Sequence, residues 1–200
     1  MDAHRLNPNG GPASPREAAG RCGCTGEAGS AEPPRQSEER HVCGEKVDFV
    51  YPEVPFPSAR VFATIGEAAL RKLVQRHHEY LLKSPIHYLF PPDREALEKL
   101  VKRSADFVVE MCGGPSYYTS TRGEPRMRSR HFPTTIDEKA REVWLICYRD
   151  ALKETGFPLA ILEEFWNWIE PFSLRMINRR TTWDPPRRIP FSSIRDAFAG

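Results

Sequence analysis

The sequence lacks several features that would assign a protein to a class at once. It contains no run of about 18 apolar residues, so no membrane span is predicted. The N-terminal stretch MDAHRLNPNGGPASPREAAG has no apolar core of a signal peptide, and we therefore expect a cytoplasmic protein. The formal net charge of +2 is too small to indicate nucleic acid as a partner. Membrane, secreted and nucleic-acid-binding proteins are all disfavoured.

Cysteine is scarce and odd in number, which disfavours a disulfide framework. Five cysteines in a chain without an export signal are expected to be reduced thiols. Cys22, Cys24, His41 and Cys43 could form a small zinc site, because thiolate and imidazole both bind zinc. Their one-residue gaps are shorter than the roughly two-to-four-residue gaps that are usual. The zinc site stays an alternative that the spacing does not favour.

Large apolar residues are nearly absent from the N-terminal part of the chain. Residues 1–45 contain only Met1, Leu6 and Val42 of this kind, against five prolines and seven glycines. Such a segment cannot bury enough surface to offset the entropy lost on ordering. We therefore predict a disordered tail over residues 1–46, a proline-rich strap over 47–59, a helical domain over 60–180 and a basic, proline-rich C-terminal extension over 181–200.

Within residues 60–180 the apolar residues recur with a helical period. The first helix, from about Gly66 to Lys83, places two adjacent histidines on or beside its buried stripe. No strand pattern stands out, so the domain is predicted to be all-α. Three further helices are expected: one capped by Asp93 and reaching Met111, one opened by a capping box at Thr135-x-x-Glu138, and one starting near Pro158 with a kink at Pro171.

The stretch from Ser116 to Thr134 is aperiodic and rich in arginine. A long irregular stretch inside a compact helical domain is usually functional. His131, at its end, could ligate a metal or a haem iron beside Phe107 and Trp144, or it could simply bond a carbonyl. The arginines could instead bind phosphate, but no aromatic stacking surface lies between them. These arginines are Arg122, Arg126, Arg128 and Arg130.

The sequence around His131 resembles that of the group II truncated haemoglobins. The run GGPSYYTSTRGEPRMRSRHFPTTI lies between PIHYLFP and EVWLICYRDAL. The family shows an aromatic-proline turn, then GGP, Tyr, an RG-x-P segment, RHxPF-x-I and a helix with an early tryptophan. Thr134 departs from this pattern, because the family has Phe after the proline. The match covers about Ala63 to Leu152, nearly the whole helical domain.

This resemblance implies a two-over-two helical globin sandwich around haem b (iron protoporphyrin IX). The four predicted helices would be the family's B, E, G and H helices. His131 falls on the proximal iron ligand, and Trp144 falls on a tryptophan that donates to the bound ligand. The remaining haem contacts implied by position are Phe90 at the porphyrin edge, Leu100 and Ser104 on the distal face, Phe107 in the pocket wall, and Arg103 and Arg130 at the propionates, with Tyr118 assisting.

The histidine pair stands where the family usually has a distal tyrosine. A count from Ile65-Gly66 places His78 on that position, while a count back from PIHYLFP differs by one residue. On the apolar stripe of the helix, His77 lies nearer the centre of the buried face than His78 does. Either imidazole could donate to a bound ligand or, when neutral, bind the iron and compete with that ligand. The small side chain of Ser104 would leave room for such an imidazole.

Three functions compete at this point. The first is a haem protein that reversibly binds oxygen and other diatomic ligands. The second is a haem enzyme that detoxifies nitric oxide or nitrite or acts as a weak peroxidase. Because the sequence contains no flavin or nicotinamide fingerprint, such an enzyme would need an external reductase. The third, an all-α interaction module, is disfavoured by the motifs around His131.

Overall fold

Seven helices and one hairpin make up the described part of the chain, residues 40–43 and 46–198 of a computed structural model. Side chains are described from Val50 onward. Most of the predicted tail, with Cys22 and Cys24 of the zinc alternative, lies outside these residues, and so do the side chains of His41 and Cys43. The helices are α1 (Ala59–Leu82), α2 (Arg94–Met111), α3 (Tyr117–Arg122), α4 (Met127–His131), α5 (Glu138–Glu154), α6 (Leu159–Leu174) and α7 (Phe191–Ile194), with short 3₁₀ turns at His87–Leu89 and Arg195–Phe198.

A two-stranded hairpin precedes the helices. Strand β1 (Arg40–Cys43) pairs antiparallel with β2 (Lys46–Val50). Strand β1 lies within the predicted tail, and β2 begins at its end and continues into the predicted strap. Valines in both strands favour extended backbone.

Helix α1 begins at Ala59, earlier than the predicted start near Gly66. Gly66 has φ 72° and ψ 173°, and two helical pieces meet there at a kink. Glycine adopts this backbone because it has no Cβ. The start predicted near Gly66 thus coincides with the kink inside the helix and not with its first residue. The N-terminal piece is fixed by the N–H of Phe62, which donates to the carbonyl of Cys112 at the end of α2 (3.1 Å).

The predicted capping box of α5 is wrong. The helix begins at Glu138, and Asp137 caps it by accepting a hydrogen bond from the N–H of Ala140 (2.7 Å). Asp is a strong N-cap residue, and the Glu138 carboxylate binds Arg180 and Thr181 instead of reaching back to Thr135. The cap predicted for α2 is confirmed, since the Asp93 carboxylate accepts from the N–H of Ala96.

The stretch predicted to be irregular contains α3 and α4. Helices of five or six residues are unstable alone. The first of them is held by Glu110 of α2, whose carboxylate accepts from the N–H groups of Tyr118 and Thr119 (2.8 and 2.9 Å). Long-range contacts of this kind leave no periodicity in the sequence, which is why the two helices were missed.

The four long helices pack as pairs around one core. Helix α1 packs against α2 and α5, and α5 also packs against α6. Gly113 lets α2 end against α1, since an added Cβ would lie 2.5 Å from the Cα of Ala59. Among the described helices, none is long and apolar enough to cross a membrane. The largest fully buried side chains include Phe165, Trp166, Trp168 and Ile169 of α6 with Leu70, Leu73 and Leu81 of α1.

The C-terminal extension docks on α6 through one buried carboxylate. Glu170 is 1% exposed, and it accepts hydrogen bonds from the guanidinium of Arg188 (2.7 Å) and the N–H of Ile189 (3.0 Å). The indole of Trp166 donates to the carbonyl of Ile189 (2.8 Å), and Ile194 is buried further along. The extension therefore belongs to the packed body over the described residues.

Replacing Arg188 by Ala should loosen the extension. The variant loses paired hydrogen bonds to Glu170, and we expect the free energy of unfolding in urea to fall by about 1 kcal/mol, discounted because Arg188 is half exposed. Limited proteolysis should then cut sooner after Arg180. Arg187→Ala is the matched control, because only the backbone carbonyl of Arg187 accepts a hydrogen bond, from Arg141. Equal losses in the two variants would contradict this role for Arg188.

Candidate functional site

A cavity of about 330 Å³ lies between the helices of the body. This size falls in the range of small-molecule and cofactor sites, roughly 300–1,000 Å³. The structure brings every residue that the sequence analysis assigned to a haem site into its lining. These residues are His77, His78, Phe90, Leu100, Arg103, Ser104, Phe107, Tyr118, Arg130, His131 and Trp144.

His131 is the last residue of α4, and its ring is held by a hydrogen bond within that helix. Its Nδ1 lies 2.6 Å from the carbonyl oxygen of Met127, four residues earlier. Because a carbonyl only accepts, Nδ1 carries the hydrogen and donates it. The lone pair is then on Nε2, the arrangement found in metal-bound histidines. Nε2 makes no hydrogen bond to any described residue.

His78 is held in the same way on α1. Its Nδ1 donates to the carbonyl of Val74, also four residues earlier, at 2.8 Å. Its ring meets the edge of Phe90 with the ring centres 6.0 Å apart. As with His131, Nε2 carries the lone pair and makes no hydrogen bond to the rest of the described chain. A second imidazole nitrogen is thus available in this cavity.

His77 is fixed differently and lies deeper in the wall. Its Nε2 is 3.2 Å from the backbone carbonyl of Trp144 and therefore donates to it. The ring centre lies 4.8 Å from that of Trp144 and 4.1 Å from that of Tyr148. With Nε2 occupied and both sides packed, His77 acts chiefly as a wall residue in this arrangement.

Burial favours the neutral form of both imidazoles of the pair. His77 is 2% exposed and His78 is 7% exposed. Burial lowers the pKa of His77 well below its ordinary value, and the neighbouring His78 acts in the same direction, against the hydrogen bond to Trp144. Burial also lowers the pKa of His78, opposed by its bond to Val74. Only a neutral imidazole has a lone pair for a metal.

The walls of the cavity are mostly apolar, and its mouth is basic. Phe107 stacks on Phe172 with ring centres 5.6 Å apart. Arg103 and Arg130 are exposed at the rim, and the guanidinium of Arg130 lies 5.7 Å from the ring centre of Tyr118. Tyr118 is buried, and its hydroxyl donates to the sulfur of Met127 (3.4 Å). His87 is exposed and does not line the cavity.

Several lining residues were missed by the sequence analysis. Tyr148 and Arg141 lie four residues after and three residues before Trp144 on α5, so the helical spacing could have found both. Arg141 was not predicted to line the site, because a charged residue is not expected on the buried face of a helix. In the structure it is 2% exposed and is satisfied by the Glu170 carboxylate (2.6 Å) and the Ser173 hydroxyl (2.9 Å). The other missed residues are Val74, Ile86, Leu89, Val108, Arg122, Met127, Thr134, Ile136, Ala140, Ile169, Phe172, Ser173 and Met176.

This arrangement fits a haem. An apolar slot suits the porphyrin faces, and the free Nε2 of His131 suits the iron. Exposed guanidinium groups at the mouth suit the propionate carboxylates through charge-assisted hydrogen bonds. The donor set therefore agrees with the cofactor that the sequence resemblance implies.

The comparisons with known proteins agree with this geometry. The chain matches the family of bacterial-like globins over residues 60–178. It is 30% identical over 124 residues to the group 2 truncated hemoglobin YjbI of Bacillus subtilis (strain 168), covering 62% of this chain and 92% of that protein.

Solved structures of globins are similar as well. A phosphate-bound crystal structure of Hell's gate globin IV is 67% identical with a TM-score of 0.75, covering 79% of this chain and 99% of that one. The group II truncated hemoglobin of Bacillus anthracis is 31% identical with a TM-score of 0.57, covering 60% and 98%. The group II 2-on-2 hemoglobin of Agrobacterium tumefaciens is 29% identical with a TM-score of 0.55, covering 60% and 94%.

These similarities confirm the predicted all-α, two-over-two globin fold, and the family implies a haem cofactor. Globins of this kind bind gaseous ligands such as oxygen. The chain belongs to the bacterial-like globin family, and the relatives it resembles are group II truncated haemoglobins.

Proposed function

We propose that this protein binds haem b and reversibly binds oxygen and other diatomic ligands. The observation that carries the proposal is the pair of imidazoles, His131 and His78, each with Nδ1 committed to a backbone carbonyl and Nε2 free in one cavity. Haem iron supplies the coordination position at which a diatomic ligand binds. The protein supplies the groups that hold the haem and contact the ligand.

His131 is the proposed proximal ligand. Its hydrogen bond to Met127 fixes the tautomer and orients the ring, and it also raises the basicity of Nε2. Arg103 and Arg130 are the proposed partners of the propionates, because both line the cavity, are exposed to solvent and carry guanidinium groups that suit a carboxylate. Phe90, Leu100 and Phe107 are proposed to pack on the porphyrin.

His78 and Trp144 are the proposed groups on the distal side. The indole N–H of Trp144 has no hydrogen-bond partner among the described residues, so it is available to a ligand. Nε2 of His78 can bind the iron when no ligand is present. His77 is less suited to this role, because its Nε2 already donates to the carbonyl of Trp144. Ser104 supplies the space that a larger side chain would fill.

The enzyme alternative uses the same atoms. A neutral imidazole in a cavity with apolar walls can take a proton from a hydroperoxide, so Nε2 of His78 could serve as a general base. The alternative functions are nitric oxide or nitrite detoxification and weak peroxidase activity, each with electrons from an external reductase. Sustained turnover with such a reductant would favour the alternative over reversible binding.

Replacing His131 by Ala should remove the proximal bond. We expect no stable haem incorporation, or haem held without the characteristic spectra of a histidine-bound iron. The reason is that His131 is the one histidine of α4, so its loss leaves no imidazole on that helix to bind the iron. Absorption spectra of the ferrous and carbonyl forms measure this. His87→Ala is the control, since His87 is exposed and lies outside the cavity lining. Wild-type spectra in the His131 variant would refute the assignment.

Replacing Trp144 by Phe should weaken the hold on oxygen. The change keeps most of the packing against His77 and deletes the indole N–H. Loss of one hydrogen bond, about 1 kcal/mol, corresponds to oxygen dissociation roughly fivefold faster. Stopped-flow dissociation is the measurement, with the exposed Trp183→Phe as control. An unchanged rate would place the indole away from the ligand.

Protons should compete with iron for His78. The ferrous protein should be six-coordinate and low-spin near neutral pH, and five-coordinate as the pH falls. Because burial lowers the pKa of His78, the neutral form persists below the usual value of about 6.5, and the transition should lie below that pH. Optical titration measures it, in buffers without phosphate because a similar globin is phosphate-bound.

Single Ala substitutions identify the competing residue. His78→Ala should stay five-coordinate at neutral pH, whereas His77→Ala should keep the six-coordinate spectrum and mainly change ligand dissociation. The reverse pattern would assign the competition to His77. A five-coordinate or water-ligated wild type across the whole pH range would show that neither histidine binds the iron.

A further inference from the structure

Asn178 lies just beyond the end of α6, and its side chain holds the segment after His131. Its side-chain nitrogen donates to the carbonyl of His131 (2.9 Å) and to the carbonyl of Thr134 (2.7 Å). Its side-chain oxygen accepts from the N–H of Ile136 (2.9 Å). One half-buried amide thus binds three backbone groups of residues 131–136.

The orientation of this amide is determined by its partners. Two carbonyls need donors and one N–H needs an acceptor, so the NH₂ and oxygen of Asn178 can be placed in only one way. The backbone N–H of Asn178 also donates to the carbonyl of Ile136 (3.0 Å), which ties the two residues in both directions. The contact is therefore specific to an asparagine or a close mimic of its amide.

This clamp acts where α4 needs support. A five-residue helix has little stability of its own. The bond from the His131 ring to Met127 fixes the ring relative to α4, but it does not fix α4 relative to the cavity. The bond from Asn178 reaches the backbone of His131 itself and connects it to the end of α6. Residues of α6 in turn line the cavity, including Ile169 and Phe172.

We propose that Asn178 is a positioning residue for the proximal histidine, and that it sets where Nε2 of His131 stands relative to the haem iron. The inference rests on the proposed function of His131. Asn178 is not among the lining residues of the cavity, so its influence on the site would pass through the backbone of His131.

The experiment compares Asn178→Ala and Asn178→Asp with Asn167→Ala in the haem-loaded protein. Asp has the size of Asn and keeps an acceptor for Ile136, but it loses both donors and turns an oxygen toward two carbonyls. Asn167 is exposed on α6 and serves as the control. The main readout is the iron-histidine stretching band in resonance Raman spectra after photolysis of the carbonyl form. The second readout is the rate of haem transfer to an acceptor globin.

Both Asn178 variants should shift or broaden the iron-histidine band and should lose haem about tenfold faster, while Asn167→Ala matches the wild type. If Asn178→Ala does not fold, Asn178→Asp carries the same comparison. A wild-type band in the Asn178 variants would overturn the inference, even if haem loss or thermal stability changed, because the role would then be structural only. Absence of the band from the wild type would overturn the His131 assignment and this inference together, whereas an unchanged band overturns the inference alone.

Discussion

The candidate site depends on one kind of hydrogen bond, from a ring Nδ1–H to the carbonyl four residues earlier in the same helix. His131 makes it to Met127 and His78 makes it to Val74. Because donor and acceptor share a helix, the tautomer and the ring direction are set locally. Nε2 is left with its lone pair in both cases. His77, the neighbour of His78, uses Nε2 for Trp144 and provides the contrast.

The surrounding fold brings these locally set rings to one cavity. Helix α1 carries His78, and the short α4 carries His131 and depends on distant contacts for its place. Arg141 of α5 lies in the cavity wall, fully buried, and a buried charge of this kind needs a paired partner. Glu170 provides it and also anchors the C-terminal extension through Arg188. The wall of the cavity and the docking of the extension thus share one carboxylate.

The sequence predicted what depends on local pattern. The four long helices follow from apolar periodicity, and the cap at Asp93 follows from residue type. The residues that the resemblance assigned to a haem site all line one cavity, although they come from several helices. The choice between His77 and His78 stayed open, since a count along the chain cannot show which ring nitrogen is already hydrogen-bonded.

The features that the sequence did not predict all depend on contacts between distant residues. The clamp by Asn178, which holds the end of α4, joins segments that are far apart in the chain. Glu138 was read as part of a capping box because its binding to Arg180 and Thr181 is visible only once the chain has folded. Arg141 was overlooked as a lining residue, since its charge gives no sign of the partner that allows its burial.

A crystal structure of the haem-loaded protein without added ligand, at neutral pH, tests the central claim most directly. The account predicts that Nε2 of His131 binds the iron while Nδ1 still donates to Met127. It also predicts that Nε2 of His78 is nearer to the iron than any atom of His77, with the bond to Val74 retained. Iron bound through a different side chain, or a His77 ring turned away from Trp144 and onto the iron, would contradict it.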